Sequence, residues 1–176
     1  MYKSKSISVV IPAFNEENLI KDTLDSVPDF VDHIFVINDF SNDKTKYVVQ
    51  KYISSHKREI TLLSNKKNRG VGYSIKKGYS HSNRLEIDIA VVMAGDNQMD
   101  PSFLPDLLNP LVNNKADYSK GNRLNHKEKN KMPLFRRFGN NLLTLLNKIS
   151  TGFWEISDPQ NGYTAINKEA IEKLDF

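Results

Sequence analysis

Apolar and polar positions along this chain come in blocks whose period switches between strand and helix. Ile7–Ile11 is a short β-branched run and reads as a buried strand. Over Glu16–Val27, Leu19, Ile20, Thr23, Leu24 and Val27 fall on one helical face, and Pro28 closes that helix. Ile34–Ile37 reads as a second strand and Thr45–Tyr52 as a helix. Asn42 or Asp43 suits its cap, because a short side-chain oxygen accepts from a free first-turn amide. Ile60–Leu63 is a third strand, and Gly70–Ser80 is a loop entering a helix. Ile87–Met93 is an uninterrupted apolar strand of the kind covered on both faces. Asp100-Pro101 starts the next helix with an acidic cap and a proline in the first turn.

Strand and helix thus repeat four times by residue 113. That order predicts an α/β fold with a mostly parallel sheet, right-handed crossovers and helices on both faces. Ligands of such sheets bind beyond the carboxyl ends of the strands. The rest is less regular. Tyr118–Arg123 is a candidate strand, Leu124–Met132 a polar, basic loop, and Leu134–Ile149 a helix with Leu142, Leu143, Leu145 and Leu146 on its apolar side. Gly152 ends it, Tyr163–Ile166 is a last strand, and Lys168–Leu174 a short helix. A chain of 176 residues suits one domain, with residues 1–113 as one half and 114–176 as the other.

Composition narrows the chemistry. The absence of cysteine excludes thiolate nucleophiles, disulfides and cysteine-ligated zinc, and fits a reducing, cytoplasmic compartment. The net charge of +4 is concentrated between Lys120 and Arg137. It admits nucleic acid, an anionic bilayer or a phosphorylated substrate as partner. Nucleic acid is disfavoured, because the basic residues lack interleaved aromatics on a sheet. The apolar run at Ile7–Ile11 is too short for a secretion signal, and no stretch approaches the ~20 apolar residues that span a bilayer.

The loops after the four strands carry the candidate site. Pro12-Ala13-Phe14-Asn15-Glu16-Glu17 follows the first, and Asn38-Asp39-Phe40-Ser41-Asn42-Asp43 the second. Each reads equally well as a turn with a helix cap, or as a place where free amides and a carboxylate meet a polar ligand. Asn68-Arg69-Gly70-Val71-Gly72 follows the third, with glycines that permit close backbone approach. Its position after the third strand argues against a dinucleotide fingerprint, and no phosphate-binding Gly-x-x-x-x-Gly-Lys loop is present. After the fourth comes Met93-Ala94-Gly95-Asp96-Asn97-Gln98-Met99-Asp100-Pro101. Asp96, Gln98 and Asp100 are the oxygen donors that Mg²⁺ or Mn²⁺ takes, usually together with diphosphate oxygens. Asp100 is also explained as a cap; Asp96 is not.

In this order, these four motifs resemble those of family 2 inverting glycosyltransferases, which have the Rossmann-like, three-layer GT-A fold. Lys120-Gly121-Asn122-Arg123, Arg136-Arg137-Phe138-Gly139-Asn140 and Asp158-Pro159-Gln160-Asn161-Gly162-Tyr163 are most similar to the polyprenyl-phosphate sugar synthases, the dolichol-phosphate mannose synthase group. The resemblance covers nearly the whole chain. It implies that Pro12, Ala13, Glu16, Asp39 and Gly70 line the nucleotide pocket. It puts Asp96 and Gln98 at a divalent cation and the diphosphate, with Arg123, Arg136 and Asn140 on the acceptor phosphate. Asp158 then faces the reacting sugar, so that Asp158 and Asp96 are the catalytic pair.

The resemblance further implies a nucleoside-diphosphate sugar as donor and a lipid phosphate or glycan as acceptor, with inversion at the anomeric carbon. The enzyme would work at the inner face of the cytoplasmic membrane, with a peripheral contact through Lys127–Arg137. Two positions depart from the pattern: Asn38 stands where a first Asp is usual, and Ala94 stands at the first position of the usual Asp-x-Asp. They raise the alternative of a non-catalytic sugar-nucleotide-binding relative. Family members usually continue beyond Phe176, so a C-terminally truncated chain is expected.

Overall fold

The computed structural model describes residues 1–122 and 161–174, together with residues 139, 143, 145, 146, 148–150 and 152. Six strands form one sheet in the order β3-β2-β1-β4-β6-β5. They are β1 (Ile7–Ala13), β2 (His33–Asn38), β3 (Ile60–Ser64), β4 (Ile89–Val92), β5 (Tyr118–Lys120) and β6 (Thr164–Asn167). β1 runs parallel to β2 and β4, and β2 parallel to β3, as the βαβ alternation requires. β6 returns antiparallel to β4.

Helices cover both faces. Val9, Ile11 and Ala13 of β1 face one core with Ile20 and Leu24 of α1 (Ile20–Ser26), Val49 and Tyr52 of α2 (Thr45–Ser55), and Leu104, Leu107, Leu108 and Leu111 of α4 (Leu104–Val112). Val10 faces the other core with Phe35, Ile37 and Val92, Tyr79 of α3 (Val71–Arg84) and Ile171 of α5 (Lys168–Glu172). The period-2 alternation of the strands thus divides the apolar side chains between two layers. Each fully buried Ile or Val contributes roughly 1.5–3 kcal/mol. Gly78 lets α3 lie directly on β1, because a Cβ there would overlap the Val10 side chain.

Several boundaries differ from the sequence pattern. The first helix begins at Ile20 rather than Glu16, and Leu19 is exposed. Cross-loop partners take the amides of Glu16 and Glu17: the Thr45 hydroxyl accepts from one at 2.7 Å and the Asp43 carboxylate from the other at 3.0 Å. The Asp43 carboxylate also accepts from the Thr45 amide at the start of α2. Asp100 caps as expected, accepting from the Ser102 amide, but a 3₁₀ turn at Pro101–Phe103 precedes α4. His33 is half-buried, its ring tilted against that of Phe35.

The chain divides into two compact units, residues 1–119 with 163–176, and residues 120–162. The first holds the sheet up to Ser119. In the second, Gly139, Leu143, Leu145, Leu146 and Lys148–Ser150 are helical, which runs one residue past the helix expected over Leu134–Ile149. Leu142 lies outside the described residues, as do Arg123, Arg136, Asn140 and Asp158.

Candidate nucleotide-sugar site

Strand register brings the four loops together at one edge. Ala13 pairs with Asn38 and Asn38 with Ser64, so the loops after β1, β2 and β3 emerge side by side. Beyond the paired residues, the Met93 amide donates to the Val10 carbonyl and the Gly95 amide to the Pro12 carbonyl, which joins the loop after β4 to the first. The buried Thr23 hydroxyl donates to the Gly95 carbonyl at 3.0 Å. Gly95 is therefore fixed through both its amide and its carbonyl, and a Cβ on it would sit 3.3 Å from the Pro12 oxygen.

Fixing Gly95 positions Asp96. This half-buried carboxylate accepts from the Gln98 amide at 3.1 Å, a local turn that leaves Gln98 exposed beside it. Burial pushes the Glu16 carboxyl above its ordinary value, and the charges of Asp96 and Asp43 push it further. Carboxylates of the first, second and fourth loops thus lie close enough for one to feel the charge of the others. Burial also works to raise Asp43, but the Thr45 hydroxyl and the amides of Thr45 and Glu17 outweigh it and hold that carboxyl below the ordinary value.

Asp39 is turned inward. Only 4% exposed, its carboxylate accepts from the Asn65 amide group at 2.7 Å, the Arg69 backbone at 2.9 Å and the Gly70 backbone at 2.7 Å. It thereby ties the third loop to the second strand's end. Gly70 has φ +84°, a conformation that glycine adopts at no steric cost. The tied loop presents Arg69, whose guanidinium lies 4.3 Å over the Tyr73 ring. Asn38, the unusual residue beside Asp39, accepts from the Ser41 amide at 3.2 Å, so the second loop uses an amide oxygen there to hold its turn.

Glu16, Asp39, Gly70, Asp96 and Gln98 belong to these four adjoining loops, whereas Pro12 and Ala13 end β1 itself and Ala13 is turned into a core. Arg123, Arg136, Asn140 and Asp158 lie outside the described residues. The structure adds Asn65, Thr45, Asn15 and Ser41, which fasten the loops to one another. Asn65 carried a usable signal, being a polar residue immediately beyond the third strand.

The donor set can be tested for fit to a divalent ion. Asp96 and Gln98 offer hard oxygens, Ala94 offers none in its side chain, and no three His, Cys, Asp or Glu converge on one point among the described residues. The set fits an ion that takes its remaining oxygens from a diphosphate and water, the usual habit of Mg²⁺.

A three-layer α/β fold with oxygen-rich loops gathered at the carboxyl edge defines an α/β protein whose ligand site lies beyond the strand ends. More specifically, residues 8–175 match glycosyl transferase family 2, and the chain belongs to that family of glycosyltransferases. It is 29% identical to the UDP-N-acetylglucosamine–dolichyl-phosphate N-acetylglucosaminyltransferase of Methanococcus voltae, over 97% of this chain and 72% of the relative. It is 25% identical to the dolichol-phosphate mannosyltransferase of Pyrococcus furiosus, over 97% of this chain and 48% of that protein. Glucosyl-3-phosphoglycerate synthase of Mycobacterium tuberculosis, solved with Mn²⁺, UDP and glucosyl-3-phosphoglycerate, shares the fold with a TM-score of 0.70 at 24% identity. That similarity covers 94% of this chain and 58% of the synthase chain.

Proposed function

We propose that this chain transfers a sugar from a nucleoside diphosphate to a polyprenyl phosphate, with inversion at the anomeric carbon. The observation that carries the donor half is the joined first and fourth loops, which hold Asp96 and Gln98 at the edge beyond a fully apolar strand. Support for the acceptor comes from relatives named as dolichyl-phosphate transferases. The Lys120–Arg137 segment adds the cations that a lipid phosphate pairs with.

The reaction is one in-line displacement. An acceptor oxygen forms a bond to the anomeric carbon while the bond from that carbon to the diphosphate oxygen breaks, and the electron pair leaves with the diphosphate. Asp96 and Gln98 would hold a divalent ion; when bound, it neutralises the charge that grows on the leaving group. The fixed backbone of Gly95 keeps Asp96 in place during that change, so little reorganisation is needed. A lipid phosphate is already ionised and needs no base. Arg123, Arg136 and Asn140 would then orient it, and Asp158 would lie at the sugar; a hydroxyl acceptor would instead need Asp158 to take its proton.

Incubating the protein with labelled nucleoside-diphosphate sugars and a short-chain polyprenyl phosphate tests the reading. The expected product is a polyprenyl-phosphate sugar of inverted anomeric configuration by NMR. Ala94 favours a second reading, a binding protein without turnover, and nucleotide binding with no transfer to phosphate or hydroxyl acceptors would establish that instead.

A further inference from the structure

Three of the carboxyl-edge loops contain a non-glycine residue at positive φ: Asn15 at 58°, Phe40 at 63° and Asn97 at 54°. Asparagine tolerates that region because its short amide can bond locally. Asn15 does so, its side-chain oxygen accepting from the Asn42 amide at 2.9 Å. Phe40 has no such compensation, and for a bulky side chain the conformation is a genuine outlier. Nor is its ring part of the buried core. It belongs to neither apolar core and is 48% exposed.

The strained backbone is enforced from both sides. Before it, the Asp39 amide donates to the Ala13 carbonyl. After it, the Ser41 amide donates to the Asn38 side chain and the Asn42 amide to Asn15. The Ser41 hydroxyl in turn accepts from the Asn15 amide. Strain that the surroundings over-determine is characteristic of ligand-contacting positions. Glycine or asparagine would suit this backbone better, so the phenyl ring is the part that the fold does not explain.

Position along the edge indicates what the ring meets. In the sheet order, the loop after β2 lies two strands from the Asp96 loop after β4, a separation of about 10 Å. A diphosphate at Asp96 that extends its nucleoside toward β2 and β3 brings ribose and base to that loop. The face of a phenyl ring suits a planar heterocycle and offers nothing to a phosphate. Beside it, Asp39 holds the loop that presents the Arg69 side chain.

We propose that Phe40 is a specificity-determining residue of the donor site, its ring stacking on the nucleobase. The proposal rests on the reading of this edge as a nucleoside-diphosphate-sugar site.

The test compares the parent protein with Phe40→Gly and Phe40→Asn. UDP, GDP, CDP and dTDP are titrated calorimetrically in the presence of Mn²⁺, and melting temperatures are recorded without nucleotide. Both variants should melt higher than the parent, because either replacement relaxes the backbone. Both should bind the parent's preferred nucleotide roughly 5- to 100-fold more weakly, the range for one lost base–aromatic stack, and should discriminate less among the four bases. Unchanged affinity and unchanged discrimination would overturn the role of Phe40 and leave the donor site standing. Lower melting in both variants would make the ring a packing residue and also overturn the proposal. If the parent bound none of the four nucleotides, the donor-site reading itself would fall, and this proposal with it.

Discussion

The Asp39 carboxylate joins Asn65, Arg69 and Gly70, residues brought to it from the far side of β3. Its removal frees the loop that presents Arg69. Hydrogen bonds to a charged group contribute about 1.5–3 kcal/mol each, less than additively. Asp39→Ala should therefore lower unfolding stability in urea by about 2–4 kcal/mol and weaken nucleotide binding as well. An unchanged urea midpoint would contradict the anchoring role. Two histidines set a pH response. Burial holds the His33 imidazole below its ordinary value of 6.5, against a smaller opposing effect from Glu59. His81 is lowered by burial and then by the charges of Arg84 and Lys77. In both cases the folded state binds fewer protons than the unfolded one, so stability is level above pH 6.5 and falls as pH drops through 6.5 toward the folded values. Melting temperature should decline between pH 7 and 5, less steeply in His33→Gln; parallel pH profiles for the two proteins would contradict this assignment. At this scale the sequence shows where Asp39 and Asp96 lie, because each is the first acidic residue after an apolar strand. It does not show that Asp39 faces inward, since its partners come from 26 and 30 positions along the chain.

Among the elements, α3 against β1 is the most demanding contact. At Gly78 an added methyl would meet both Val10 methyl groups. Alanine gains about 1 kcal/mol over glycine in helix propensity, while overpacking costs about 1–3 kcal/mol. Gly78→Ala should therefore be destabilising by urea denaturation; a stabilised variant would show that α3 can lift from the sheet without penalty. Strands and helices were legible to within a few residues wherever the apolar period was clean. The late start of α1 was not, because it depends on Thr45 and Asp43 taking amides from another loop. The antiparallel direction of β6 was not legible either, since four apolar-rich residues carry no direction of their own.

For the whole molecule, four ordered motifs sufficed to indicate the fold and the edge at which their loops gather, because each sits at a strand's end and the parallel sheet aligns those ends. The acceptor side was legible only as a resemblance. The residues that the resemblance implies there, Arg123, Arg136, Asn140 and Asp158, lie outside the described residues. Among the described residues no helix is long and apolar enough to cross a membrane. A peripheral contact through the basic Lys127–Arg137 stretch would contribute about 1 kcal/mol per cation near an anionic surface. Binding to anionic vesicles should fall with added salt, and equal binding to neutral vesicles would contradict it.

The central claim is that the carboxyl edge holds a nucleoside diphosphate with a divalent ion at Asp96. Thermal-shift titration with UDP, GDP, CDP and dTDP, each with and without Mn²⁺, tests it most directly. A ligand that binds only the folded state adds about 2.7 kcal/mol of stability at a hundred times its dissociation constant. One nucleotide should raise the melting temperature, more so with Mn²⁺, and Asp96→Ala should remove the Mn²⁺ increment. If none of the four shifts the melting of the folded protein, the donor site assigned here is contradicted.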